Sequence, residues 1–410
     1  MRQWSFRNRV DGVRGTGGRQ GGSRRGLRLL LAFAVPLVAF GCDFGPMGTT
    51  SSGTSTAASC EFEFHDGGVA QDGIPALTNP IMAEVGSLAA TYVNPNDRVI
   101  GIVIDGQPVA IPHSILWIHE IVNLDVGDAR VAVTYCPLTG SSLVFDRSTA
   151  GGAEFGVSGM LSQSNLVMYD RRDPQSFWPQ MDRRARCGPA SGSALPLVPA
   201  LEMSWAGWRE LHPDTRVPAN LSQEGQPFGG YGYPYGNYED PNNDRLLFPV
   251  DTIDRRRPLK ERVLGISEGP GELGPGQGGI RMIAFPFSAL DEGGPENVVE
   301  VRLDEREVVV FWSRQWQGAA AYRKQVGDET LDFRVDDGRF VDLQTGSVWD
   351  FAGRAVEGPL EGEALTPVAE AYVAFWFAWA TFHPRTELWG EASSGASGGP
   401  GGSGTSSHLR

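Results

Sequence analysis

The single cysteine in TYCPLTGSSLVFDR, Thr134 to Arg147, has the widest chemical scope in the chain. Cys136 follows a β-rich run and precedes a Pro-Leu-Thr-Gly turn. A thiol acts as a nucleophile or metal ligand only as the thiolate, so it needs cations, histidine or N–H donors beside it. His113, His119 and Arg147 are candidates for that role, and Thr139 is spaced to hydrogen-bond the sulfur from one turn away. With Glu120 orienting the His119 imidazole, Cys136 would be a thiolate with an adjacent base. Cys187, in DRRARC, is the candidate to resolve a mixed disulfide or sulfenic acid formed on Cys136. His113, His119 and Cys136 are also a ligand set soft enough for copper or zinc. No His-x-x-x-His or Cys-x-x-Cys spacing accompanies them. Against both readings stands the ordinary lone cysteine, a small buried hydrophobe. Neither Gly-x-x-x-x-Gly-Lys-Ser/Thr nor a strand-linked Gly-x-Gly-x-x-Gly occurs, so no nucleotide cofactor is implied.

The elements that must position these groups read as mainly β. DRVIGIVIDGQPVAIP suggests two short strands around an Asp-Gly turn. RVAVTYC and SSLVFDR flank Pro137–Gly140 as a hairpin, with Val131, Val133 and Tyr135 on one face. FGVSGMLSQSNLVMYDRRDPQSFWPQ reads either as strand–turn–strand or as a pocket wall offering Ser158, Asn165 and Trp178. ALTPVAEAYVAFWFAWATFHP is the best helix candidate, ending at His383-Pro384, with LEMSWAGWRELHP as its counterpart.

That counterpart belongs to an internal repeat. GPASGSALPLV (188–198) matches GPLEGEALTPV (358–368), and SWAGWRELHPDT (204–215) matches FWFAWATFHPRT (375–386). AIPHSIL (110–116) matches AFPFSAL (284–290), and VAVTYC (131–136) matches VVVFWS (308–313). The expected architecture is α+β and mainly β: two tandem, divergent copies of one β-rich module with a few helices. The copies part at His113, which faces Phe287 in the alignment, and at Cys136, which faces Ser313. Shared residues such as the Trp pairs, His212 and His383 then read as scaffold, and the chemistry belongs to the first copy.

Charge and composition set the address. The eight arginines of residues 1–41 hide an acidic remainder of 27 basic and 48 acidic residues, net −21, which would repel nucleic-acid phosphates. LLLAFAVPLVAFGC after Arg28 resembles a lipoprotein signal, with Cys42 as the lipidated first residue of the mature chain. The expected organisation is a signal peptide over 1–41, a flexible tether over 42–60, a first module over 61–225 and a linker over 226–245. A second, degenerate module over 246–389 and a Gly/Ser tail over 390–410 complete it. The expected location is the bacterial cell envelope, membrane-anchored, with the body in the periplasm or outside. The partners would be the membrane, through the anchor, and a protein or small-molecule thiol.

DGIPAL (72–77), VIGIVIDGQPVAIP, HEIVN (119–123), VTYCPLTGSSLVFDR, FGVSGMLSQSNLVMYDRRDPQSFWPQ and the GPASG…W…W…HPDT ending together resemble the domain of unknown function 3179 family. The resemblance covers most of 65–220 and, more weakly, the second copy. It implies an exported, mostly bacterial protein. Members commonly carry Cys-Pro-Leu-Cys where this chain has Cys136-Pro-Leu-Thr139, and some carry selenocysteine there, which implies a redox pair. Thr139 replaces the second cysteine here, so a disulfide within this loop is impossible.

Overall fold

Asp105 and Gly106 turn the chain with φ of 49° and 72°, the left-handed pair that a two-residue hairpin requires. The turn joins strands Arg98–Ile104 and Gln107–Pro112 in full antiparallel register, from Ile104↔Gln107 to Val99↔Pro112. The computed structural model that shows this describes residues 60, 62–220, 232–267 and 281–391. The residues read as signal segment, Cys42, nearly all of the expected tether, part of the expected linker and the Gly/Ser tail beyond 391 lie outside the described residues. Among the described residues no helix is long and apolar enough to cross a membrane.

The fold is mainly β with a few short helices. The order strand, strand, helix, three strands occurs twice. It runs first through Arg98–Ile104, Gln107–Pro112, helix α1 (His113–His119), Ile121–Val126, Ala129–Cys136 and Ser141–Asp146. It runs again through Arg262–Ser267, Met282–Pro286, a helix over Phe287–Glu292, Glu296–Leu303, Arg306–Ser313 and Gly318–Arg323. Each half closes with strand, helix, strand: Leu201–Ser204, Trp205–Leu211, Arg216–Pro218, and then Ala371–Phe375, Trp376–Phe382, Glu387–Leu388.

The long helix expected over ALTPVAEAYVAFWFAWATFHP is shorter than its apolar density suggested. Ala371–Phe375 is a strand, and only Trp376–Phe382 is helical, with His383 as its cap. Continuous burial gives the same dense pattern in a core strand as in a buried helix. The strand pairs with Arg262–Ile266 on one side and with Ser142, through Val373, on the other.

That second pairing joins the halves. One eight-stranded sheet contains Ala129–Cys136 and Ser141–Asp146 from the first half beside Ala371–Phe375, Arg262–Ser267 and Met282–Pro286 from the second. Reciprocally, Leu201–Ser204 lies beside the second half's Gly318–Arg323: the Ser204 amide donates to the Trp316 carbonyl at 2.7 Å. The two halves thus interlock within one compact unit.

Corresponding anchors recur in both halves. Trp208 and Trp379 are buried and donate Nε1–H to Thr215 and Thr386 at 2.8 and 2.9 Å. His212 and His383 lie tilted against them at 4.2 and 4.0 Å between ring centroids. Each Trp ring lies against a strand glycine: a Cβ on Gly101 or Gly265 would come within 2.2 Å of it. Trp205 and Trp376 are buried as well.

Candidate functional site

Alternation along one strand decides what Cys136 can meet. In Ala129–Cys136, successive side chains point to opposite sheet faces. Tyr135 packs with Val133 and Val144, whereas Cys136 packs with Ile121, Leu143 and Phe145. His113 packs tilted against Tyr135 at 4.2 Å, so it lies across the sheet from Cys136 and not beside it.

On its own face Cys136 is 1 % exposed and is a free thiol. Its sulfur points at the Ser164 carbonyl, 3.9 Å away. Burial, with the Glu120 charge behind it, pushes the thiol up to about 11, against the pull of a Thr139 hydrogen bond. Thr139 is therefore brought to the sulfur. It also belongs to a buried polar network: Asn165 Nδ2 donates to Thr139 at 2.9 Å and to Gln180 Oε1 at 2.8 Å, and Ser141 donates to Gln180 at 2.6 Å. Glu120 caps α1 with φ 56° and ψ −30°, and burial raises its carboxyl to about 8. Over the Cys-Pro-Leu turn, Tyr233 and Tyr238 donate to the Pro137 and Leu138 carbonyls at 3.1 and 3.0 Å.

The other expected members of this site are used elsewhere. His119 sets Nδ1 against the Pro75 carbonyl at 2.7 Å, and burial lowers its pKa. Arg147 is buried at the far end of the hairpin, where Asp146 faces Val131 and not where Ser141 faces Cys136. It donates to the carbonyls of Val131, Leu124 and Gly152 and pairs with Asp125. Cys187 is bonded to Cys60, so it presents no thiol to Cys136. Ser158 donates to the Val167 carbonyl at 2.6 Å, and Trp178 to Asp170 at 2.9 Å. With Asn165 in its network, all three pocket candidates bond internally. Among the described residues no three His, Cys, Asp or Glu side chains gather as a metal site. His113, His119 and Cys136 are not brought together as one such group.

The structure assembles a different constellation between the halves. A cavity of about 510 Å³ is walled by equivalent positions of the two: Ile100 and Leu264, Ser142 and Ala319, Val144 and Ala321, Glu202 and Val373. The walls are mostly apolar, and Glu202, Ser142, His212, Asp350 and Arg354 are polar or charged residues among them. Glu202 is 4 % exposed. It accepts from Arg98 Nε at 2.6 Å and from the Ser142 hydroxyl. Arg262 Nε and His113 Nε2 stand 3.8 and 3.7 Å from its two oxygens. Burial raises its pKa, but Arg98, His113 and Arg262 outweigh that and hold it at about 2. Burial pushes His113 down to about 3, with the two arginines adding to this against Glu202, so the ring is neutral at pH 7.

A family model described as a protein of unknown function, DUF3179, matches residues 71–386. The chain belongs to the DUF3179 family. The match spans both halves, so the residues that line the cavity between them fall within the DUF3179 region. No curated protein matches the chain.

Sequence reasoning missed the inter-half cluster. The signal was present in the repeat. Aligned through Gly101 and Gly265, Arg98 in DRVIG corresponds to Arg262 in ERVLG, and the same comparison that singled out His113 also sets Tyr135 against Trp312, Ser142 against Ala319 and Glu202 against Val373.

Proposed function

We propose that this protein is a non-catalytic, membrane-anchored binding protein of the cell envelope, whose cavity between the two halves takes a small, mostly apolar molecule. The observation that carries the reading is that cavity: about 510 Å³, with mostly apolar walls and a few polar and charged groups, the size and lining of a small-molecule site. The thiol-redox reading draws less support, because Cys136 is buried and neutral, with a carbonyl as its sulfur's partner. The Cys60–Cys187 bond supports an oxidising compartment. The signal-like segment ending at Cys42 supports a lipid anchor. Native mass spectrometry of the protein released from its own membranes tests both parts. The expected spectrum shows a lipid mass on Cys42 and one small molecule per chain that leaves on denaturation. A spectrum with no bound molecule contradicts the binding reading, and an unmodified N-terminus contradicts the anchor.

A further inference from the structure

The halves repeat one another, but the cavity between them does not extend equally toward both ends of the repeat. At one end its wall includes Trp208, Leu211 and His212 from the first half and Ala352 and Arg354 from the second. Among the described residues, the counterparts at the other end, Trp379, Phe382, His383, Asp182 and Arg184, stay outside the wall. The backbone nevertheless matches. Leu195 N–H donates to the Arg183 carbonyl as Leu365 N–H does to that of Gly353, both at 2.8 Å. Arg183 and Gly353 share a left-handed backbone, with φ of 55° and 77°. Leu201 faces Gly101 across its strand pair as Tyr372 faces Gly265. The asymmetry therefore lies in the side chains.

Two exchanges between the halves fill the closed end. Arg183 stands where the second half has Gly353, and Tyr372 where the first half has Leu201. Arg183 is buried, and its Nη2 donates to the Ser267 carbonyl at 3.3 Å. Ser267 is buried too, whereas its counterpart Val103 lines the cavity and is 49 % exposed at the open end. Tyr372 lines the closed end. Its ring packs on Trp379, 5.1 Å between centroids, and its hydroxyl bonds to the buried His383 Nε2 at 2.8 Å. At the open end the smaller Leu201 makes no such bond to His212, which is half-buried. Gly353 puts no side chain there, and a Cβ on it would come within 2.7 Å of the ring of Tyr322, itself a wall residue.

Resting on the binding reading above, we infer that Arg183 and Tyr372 are specificity-determining residues: they make the cavity blind, with one mouth at Val103, His212 and Arg354, and so set the length of the apolar ligand it takes. Burying one more methylene strengthens binding about fourfold. That gain stops when the ligand's end meets these two side chains, because a packed interior resists extra bulk.

Calorimetric titration with 1-hexanol, 1-octanol, 1-decanol and 1-dodecanol tests this on wild type, Arg183→Gly, Tyr372→Leu and Leu201→Tyr. Wild-type affinity should climb about fourfold per methylene and then stop climbing within the series. Arg183→Gly and Tyr372→Leu should move that limit to a longer alcohol and bind the shorter ones as before. Arg183→Gly is suited to folding, because glycine adopts the left-handed backbone readily and the lost Arg183 Nε has no hydrogen-bond partner. Leu201→Tyr copies the closed end onto the open one and should move the limit to a shorter alcohol, so the proposal stays testable even where Tyr372→Leu fails to fold. A limit absent from wild type, or unmoved in the folded variants, would overturn the length-setting role and leave the binding reading standing. Saturable binding of no alcohol by any of the proteins would overturn both.

Discussion

Cys136 shows how a residue's neighbours set its chemistry. Its thiol, raised to about 11 mainly by burial, holds only about one part in ten thousand thiolate at pH 7, and the thiolate is the reactive form. Iodoacetamide on the native protein should leave Cys136 unmodified, and denaturant should expose it to full reaction. Rapid native labelling, read by peptide mass spectrometry, would restore the thiol-redox reading. Glu120 beside it carries a second test. Its folded-state pKa of about 8 lies above the usual 4.5, so between these values the unfolded chain has released a proton that the folded chain keeps. Stability therefore falls as pH rises through that window. Glu120→Gln removes this slope, so its melting temperature should gain on wild type between pH 5 and 8. Parallel curves would contradict the buried, protonated acid.

At the scale of elements, the sequence was most legible where local rules suffice. Asp105-Gly106 fixed one hairpin, Cys136-Pro-Leu-Thr-Gly the loop of another, and the paired Trp and His-Pro motifs two matching helices that end at His212 and His383. It was least legible where burial is continuous, as in Ala371–Phe375, because a core strand and a core helix look alike there. The candidate residues come together only in part: Thr139 and Glu120 act on Cys136, whereas Tyr135 and Cys136 are neighbours in sequence on opposite faces of a strand, so His113 went with the tyrosine. The Arg98–Arg262 convergence depends on how the halves interlock, which no local pattern encodes. The Trp-on-glycine contact offers a check on the elements themselves. Gly101→Ala would push a methyl into the Trp208 ring and should lower stability by about 1–3 kcal/mol. Gly265→Ala should do the same against Trp379. Unchanged denaturation midpoints would show that these rings do not seat as described.

At the scale of the whole molecule, the interlocked sheets explain why the cavity lies between the halves and not within either. Matching strands from each half supply much of its wall, and Glu202, Ser142, His212, Asp350 and Arg354 add polar groups to an otherwise mostly apolar lining. On this account the functional centre is the cavity, and Cys136, on the other face of the shared sheet, is structural. The most direct test is a fluorescence titration with N-phenyl-1-naphthylamine, an apolar dye that brightens on leaving water. It should be run on wild type, Cys136→Ala and Ala321→Phe, the last of which fills the cavity. The account predicts saturable one-site binding to wild type and Cys136→Ala, and loss of that binding in a folded Ala321→Phe protein. Binding that survives Ala321→Phe but disappears in Cys136→Ala would contradict it.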